Sequence, residues 1–129
     1  MIFYGHKKIW LFLTLYICSG YASTAIDELL ERTHFAQLIG ELIGLTDTLA
    51  LLEHPRTDPY DKRFLEDSIL GKLMRARIHL HNVHADSITS EEIMYAQSWI
   101  ALASQSTKQQ FLLEQFAQFE QEFESYFAH

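Results

Sequence analysis

The spacing of the apolar residues constrains the fold of this 129-residue chain more than any other feature. Apolar side chains recur at steps of three and four, which places them on one face of a helix and, over longer stretches, approaches the heptad spacing of coiled coils. No stretch alternates apolar and polar residues between turn residues, so no strand is predicted. The first helical stripe, between Ile26 and Glu53, consists of Phe35, Leu38, Leu42, Leu45, Leu49 and Leu52.

Local signals mark the end of the first helix and the start of the second. Pro55 closes the first helix, because the residue before a proline avoids the helical region. A second helix is predicted to begin at Pro59, capped by Thr57 or Asp58, and to end near His84. Its apolar stripe is Ile69, Leu73, Ala76, Leu80 and Val83, with Phe64 packing earlier.

The third helix has the strongest start signal in the chain. Thr89 and Glu92 have the spacing of a capping box, and Ile88 and Ile93 occupy the two positions of a hydrophobic staple. The stripe then continues through Ile93, Ala96, Ile100, Ala103 and Thr107.

Residues 104–110 are all polar, and after them the stripe shifts phase to Leu112, Phe116, Phe119, Phe123 and Tyr126. Either the helix continues with a phase slip or it breaks, with Ser106 capping a fourth helix and Gln109 reaching back; we favour a break or a strong kink. Short connections make sequential helices antiparallel neighbours. The predicted architecture is therefore an all-α, up-and-down antiparallel bundle of three long helices, the third kinked or split near 104–109.

The first 25 residues resemble an export signal in their composition. Lys7 and Lys8 precede an apolar run over residues 9–18, and small residues follow. A spanning helix needs about 20 apolar residues, so the pattern favours a signal peptide over residues 1–25. Cleavage is expected after Ala25 or Ala22, with Ala25 preferred, leaving 26–129 as a single helical domain.

Two alternatives remain for this segment: an inner-membrane anchor through residues 9–22, or a lipoprotein modified at Cys18. Leu15 lies three residues before Cys18 as in lipoprotein signals, but Ile17 is bulkier than such signals require. Cys18 is the sole cysteine, so a cleaved chain has no disulfide, thiolate metal site or cysteine nucleophile. Asn82, the sole asparagine, starts no glycosylation sequon. A bacterial periplasm fits these features best.

The charge of the chain restricts its partners. Without Lys7 and Lys8, eight Lys and Arg stand against seventeen Asp and Glu, a net charge of −9 with neutral histidines. Nucleic acid and anionic lipid are therefore not expected as partners. Six of the eight basic residues lie between Arg56 and Arg77, whereas the chain after Lys108 is acidic. These two regions are expected either to pair within the fold or to leave an acidic face for a cationic partner.

The histidines give only weak indications of a metal site. Glu31 and His34 form an E-x-x-H pair, but the second pair that a di-iron bundle needs is absent from the sequence. His79, His81 and His84 follow at the end of the second helix, and His81 and His84 share a helical face. We treat His81 and His84 as only weak metal candidates. Histidines at a helix C-terminus also bond the last carbonyl groups and interact favourably with the helix dipole. No metal or cofactor is predicted.

Gly40 and Gly44 lie inside the first helix and outline a second, small-residue face beside the leucine stripe. Glycine costs about 1 kcal/mol relative to alanine in a helix interior. The face fits a close helix contact, either between subunits or inside the bundle, and we favour the contact inside the bundle.

Aromatic residues are concentrated in the last helix. At helical spacing they usually belong to a core, but with an acidic rim they also suit a partner-binding surface. The candidate partner-binding residues are Phe116, Phe119, Phe123, Tyr126 and Phe127.

The sequence predicts an exported, periplasmic, acidic helical protein that acts non-catalytically by binding another protein. A homodimer and a role as accessory to an envelope or secretion system are compatible with it. Nucleophile motifs and phosphate-binding loops are absent from the sequence, so an enzyme is not expected. The alternatives are an inhibitor or immunity protein for a cationic effector, and a metal- or small-ligand-binding bundle that uses His79, His81 and His84.

Overall fold

A computed structural model of the chain describes residues 19–128, with side chains described for residues 26, 29–30 and 32–128. This part contains four α-helices, one 3₁₀ turn and no strand. The all-α prediction is confirmed, and the count of three long helices is corrected to four. The elements are α1 (Ser19–Leu52), α2 (Pro59–His81), the 3₁₀ turn (Ala85–Ser87), α3 (Ser90–Gln105) and α4 (Gln110–Phe127).

The chain divides into two compact units, residues 1–30 and residues 31–129. In the first unit, the described residues 19–30 are helical. The predicted cleavage positions Ala22 and Ala25 lie within this helical backbone. Lys7, Lys8 and Cys18, on which the signal and lipoprotein predictions depend, lie outside the described residues.

In the unit of residues 31–129, the helices alternate in direction. Contacts between α1 and α2 join residues in opposite order along the two helices, so these helices are antiparallel. Contacts of α3 with α1, and of α4 with α2, join residues in the same order. The pairs are Glu41 with Arg75, Gly44 with Lys72, Arg32 with Glu92, Glu53 with Thr107, Arg77 with Glu122, and Val83 with Tyr126.

One hydrophobic core joins the four helices of this unit. Each apolar stripe predicted from the sequence supplies buried side chains to it, because each helix turns its apolar face to the others. The prediction that Phe64 packs at the start of α2 is wrong: its side chain is 70% exposed, and Leu65 packs against the core instead. The largest fully buried residues are Leu38, Leu42, Leu45, Leu49, Leu52, Ile69, Leu73, Leu80, Leu112, Phe116, Phe119 and Phe123.

The stretch Arg32–Leu52 of α1 is also long and apolar enough to cross a membrane, judged by length and composition. Such a helix near the N-terminus is compatible with a signal sequence or an anchor. A core helix of a bundle has the same composition, and all the leucines of this stretch except Leu51 are buried in the core described above.

The starts of α2 and α3 follow the predicted signals. Asp58 caps α2 by accepting a hydrogen bond from the Tyr60 N–H at 2.7 Å, and Pro59 occupies the first helical position. The Thr89–Glu92 capping box at α3 is complete. The end of α2 is the exception, since the helix stops at His81 rather than near His84, with Asn82 as its cap.

The break between α3 and α4 is set by Thr107, which is buried. Its hydroxyl accepts a hydrogen bond from the Gln109 N–H at 3.1 Å and donates one to the Glu53 carboxylate at 2.7 Å. The predicted break is confirmed, but the role given to Ser106 is corrected. Ser106 ends α3, donating to the Leu102 carbonyl oxygen at 2.6 Å, and Gln109 occupies the cap position of α4.

Candidate functional site

The aromatic residues of α4 divide into a buried group and a partly exposed group. Phe116, Phe119 and Phe123 are at most 2% exposed and belong to the core, because α4 packs against α2 and α3 along its length. Tyr126 and Phe127 are half-buried at the end of the helix. The prediction that five aromatic residues form a partner surface is therefore corrected. Phe116, Phe119 and Phe123 belong to the core, where no partner reaches them in the folded bundle.

An open groove of about 930 Å³ lies beside Tyr126, where α2, the 3₁₀ turn and α4 meet. It brings two of the predicted sites together, because His81 and His84 line it as well. The His81 ring packs edge-on against Tyr126 with 5.9 Å between ring centroids, and the Tyr126 hydroxyl donates a hydrogen bond to the Val83 carbonyl. The remaining lining residues are Ala85, Asp86, Gln118, Gln121, Glu122 and Ser125.

The predicted histidine cluster is divided by the fold. His81 and His84 are exposed at the groove, whereas His79 lies half-buried against His34 of α1, with 3.3 Å between the two Nδ1 atoms. Within the described residues, no three or more His, Cys, Asp or Glu side chains form a group that could hold a metal. The side chain of Glu31, the partner of His34 in the E-x-x-H pair, lies outside the described set.

The basic and acidic regions of the chain meet at one ion pair. Arg77 of α2 donates to the Glu122 carboxylate of α4 at 3.0 Å. On α4, Glu120 and Glu124 are exposed and take part in none of the ion pairs between described residues. Both outcomes expected from the charge distribution therefore occur, since one acid of the tail pairs within the fold and others remain on an acidic surface.

The second ion pair of α2 joins it to α1. The Arg75 guanidinium donates to the Glu41 carboxylate at 2.8 Å. This hydrogen bond and the attraction of the two charges raise the pKa of Arg75. The pair lies on the exposed side of the α1–α2 contact and helps to fix its register.

The two glycines of the small-residue face have different surroundings. A Cβ at Gly44 would lie 3.2 Å from Cε of Lys72, so this glycine lies at the α1–α2 contact. A Cβ at Gly40 would meet no atom within 4 Å. The contact inside the bundle therefore explains why a small residue stands at position 44. It does not explain the glycine at position 40, where a larger residue would meet no neighbour.

The sequence interpretation missed an apolar surface on α2, which we name the outward face of α2. It comprises Tyr60, Phe64, Met74 and Ile78, whose exposed fractions are 82%, 70%, 62% and 55%. At 3.6 residues per turn these positions lie opposite the core stripe of the same helix. The signal was present in the sequence as a second set of apolar residues at helical spacing, out of phase with the first.

At its first end, the outward face of α2 continues onto α1. Leu51, which is 59% exposed, and Phe64 line the same shallow groove of about 480 Å³ together with Arg56 and Asp61. At its other end, Ile78 lies three residues before His81 and therefore one turn from the groove beside Tyr126. Exposed apolar side chains thus lie near both ends of α2, Tyr60 and Phe64 at its start and Met74 and Ile78 at its end.

A smaller apolar surface lies on α3. Tyr95 and Trp99 pack edge-on with 6.4 Å between ring centroids, beside the exposed Leu102. The buried Nε1–H of Trp99 has no hydrogen-bond acceptor within the described part of the chain.

Comparison with known proteins gave no assignment: no protein-family model matches the chain, nor does any curated protein or solved structure at a significant level.

Proposed function

We propose that this chain is an exported, non-catalytic helical protein that binds another protein through the outward face of α2. The observation that carries the proposal is the exposure of Tyr60, Phe64, Met74 and Ile78 on the side of α2 opposite the core. A helix of a monomeric soluble bundle normally presents polar residues there. The four residues form two pairs, each spanning about one helical turn. Exposed apolar surface is typical of interaction sites, and aromatic residues and methionine are enriched in them.

The shape of the surface favours a protein over a small ligand. Small-molecule sites are concave and bury most of the ligand surface. The groove beside Tyr126 is open and lined mainly by polar side chains, and the one between Leu51 and Phe64 is shallow. Both lie along α2, so a partner helix or extended surface is able to contact both ends of the outward face.

Export to the periplasm belongs to the same proposal and rests on the composition of residues 1–25. In that compartment the chain fits an accessory of an envelope or secretion assembly, with a second copy of the chain as one form of partner. The mass of the protein recovered from its native cell tests this. Cleavage after Ala25 or Ala22 gives a chain of the corresponding mass, whereas an anchor retains residues 9–22 and a lipoprotein begins with a modified Cys18.

The binding surface is tested by charge substitution and co-purification. After crosslinking in the native cell, the wild-type protein should co-purify with its partner. We expect the double variant Phe64→Glu/Met74→Glu to recover no partner, because it places two charges in an apolar interface. Met94→Glu on α3 is the matched control, since Met94 is 66% exposed and lies outside the outward face of α2. Both proteins should retain the wild-type melting temperature. Equal recovery of the partner with both variants would contradict the proposal.

A second candidate, an inhibitor or immunity protein for a cationic effector, is supported by the acidic surface of α4. Glu120 and Glu124 are exposed there, next to the paired Glu122. A cationic partner on this surface predicts capture that weakens steeply with salt and is lost in Glu120→Gln/Glu124→Gln. Binding through the outward face of α2 predicts that salt and these substitutions have little effect.

A further inference from the structure

His34 and His79 face each other across the contact between α1 and α2. Their Nδ1 atoms are 3.3 Å apart, their ring centroids are 5.6 Å apart, and both side chains are half-buried. Two imidazoles in this position share at most one hydrogen along the line between the nitrogens. In the hydrogen bond between them one ring donates and the other accepts, and each Nδ1 carries a lone pair toward the other ring only when both rings hold their hydrogen on Nε2.

We propose that His34 and His79 form a two-histidine site for a first-row transition metal ion of the Zn²⁺ type. Zinc binds imidazole nitrogen at about 2.0–2.1 Å in tetrahedral geometry, which places two nitrogen ligands about 3.3–3.4 Å apart. The observed Nδ1 separation of 3.3 Å matches that spacing. Binding requires that both Nδ1 atoms are free of hydrogen and that both rings turn about χ2, a soft torsion, so that their lone pairs converge on one point.

The donor set decides the class of ion. Neutral imidazole suits Zn²⁺, Cu²⁺ and Ni²⁺, whereas Mg²⁺ and Ca²⁺ prefer oxygen ligands. Because both histidines are only half-buried, water has access to the remaining coordination positions. The site thus consists of two protein ligands from different helices, with positions left open to solvent or to an external ligand.

The register of the first hairpin places the two histidines. The contact of Gly44 with Lys72 and the ion pair of Glu41 with Arg75 fix the antiparallel alignment of α1 and α2. Farther along the same seam, this alignment brings His34 level with His79. A bound ion would link the two helices and stabilise the native state, since the unfolded chain does not hold the two nitrogens together.

This site is separate from the pair His81 and His84, which lies exposed at the end of α2 and the start of the 3₁₀ turn, in the groove beside Tyr126. The His34–His79 site does not depend on the outward face of α2, so a negative result for one proposal leaves the other unaffected. The pair His81 and His84 supplies a matched control, because it offers the same number of imidazoles from neighbouring positions of the chain rather than from two packed helices.

The test measures the melting temperature and calorimetric binding of the purified full-length chain with ZnCl₂ in a non-chelating buffer. We expect Zn²⁺ to raise the melting temperature by about 4–8 °C once free Zn²⁺ is about five times its Kd, and EDTA to reverse the rise. His34→Gln and His79→Gln should each abolish it, and His81→Gln/His84→Gln should retain it.

Calorimetry should detect one Zn²⁺ per chain that is lost in His34→Gln. Either of two results overturns the proposal: no stabilisation of the wild-type chain by Zn²⁺, or the same stabilisation in the His34→Gln and His79→Gln variants.

Discussion

At the residue scale, the burial of a single ring separates core from surface on α4. Phe119 is 1% exposed in the core, whereas Phe111, on the same helix, is 57% exposed. We expect Phe119→Ala to lower the free energy of unfolding by about 3–5 kcal/mol through lost burial and a residual cavity. Phe111→Ala should change it by about 0.5 kcal/mol or less. Urea unfolding of both variants measures this, and equal losses would contradict the assignment of Phe119 to the core.

Gly40 permits a second test on a single residue. Because its Cβ position is open, Gly40→Ala should raise the free energy of unfolding by about 0.5–1 kcal/mol through the better helix propensity of alanine. Gly44→Ala should gain less, since the new methyl group meets Lys72 at 3.2 Å and displaces the end of that side chain. Urea unfolding measures both variants, and a loss of stability in Gly40→Ala would contradict an open Cβ position at this glycine.

At the element scale, the start of α3 depends on its capping box. The Thr89 hydroxyl accepts a hydrogen bond from the Glu92 N–H at 3.2 Å, and the Glu92 carboxylate accepts one from the Thr89 N–H at 3.2 Å. Thr89→Ala should cost about 0.5–2 kcal/mol, whereas Thr89→Ser should retain most of the stability. Thermal unfolding compares the two variants, and equal melting temperatures would show that the capping box does not contribute to stability.

The same cap predicts a dependence on pH. Burial acts to raise the pKa of Glu92, but the hydrogen bonds from Thr89 and the charge of Arg32 outweigh it, so the pKa is lowered. A carboxyl group with a lowered pKa in the folded state stabilises the protein above its unfolded pKa. That contribution is lost as the pH falls from about 4.3 through the folded pKa.

Urea unfolding at pH 7 and pH 3 checks this pH dependence. We expect Glu92→Gln to lose less stability between the two pH values than the wild-type protein. The same loss of stability in the variant and the wild-type protein would rule out a contribution of Glu92 to this pH dependence.

The helices themselves could be predicted from sequence, but some of their details could not. Periodicity identified the core stripe of every helix, because burial on one face leaves a regular trace. The break after α3 was expected from its polar residues, yet its cap was assigned to Ser106. Thr107 takes the central role because it also bonds Glu53 of α1, a tertiary partner that local capping preferences do not include.

At the scale of the whole molecule, the candidate sites depend on how the helices align. The sequence grouped His79 with His81 and His84 because they are close along the chain. The antiparallel hairpin instead pairs His79 with His34, a contact that follows from helix register rather than from any local motif. The groove that unites His81 with Tyr126 likewise requires the parallel alignment of α2 and α4.

Exposure of the outward face of α2 also emerges only from the whole bundle. Both sides of α2 carry apolar residues, and the sequence alone does not reveal which side joins the core shared with the other helices. The same ambiguity led to the expectation that Phe64 packs inside. Once the bundle fixes the inner side, the apolar residues on the other side remain exposed.

The most direct measurement of this central claim is photocrosslinking in the native cell with a photoreactive phenylalanine analogue at position 64, compared with the same analogue at position 94. Both positions are exposed, but only the first belongs to the outward face of α2. We predict a discrete crosslinked protein, identified by mass spectrometry, from position 64 and not from position 94. No adduct from position 64, or the same adduct from both positions, would contradict the account.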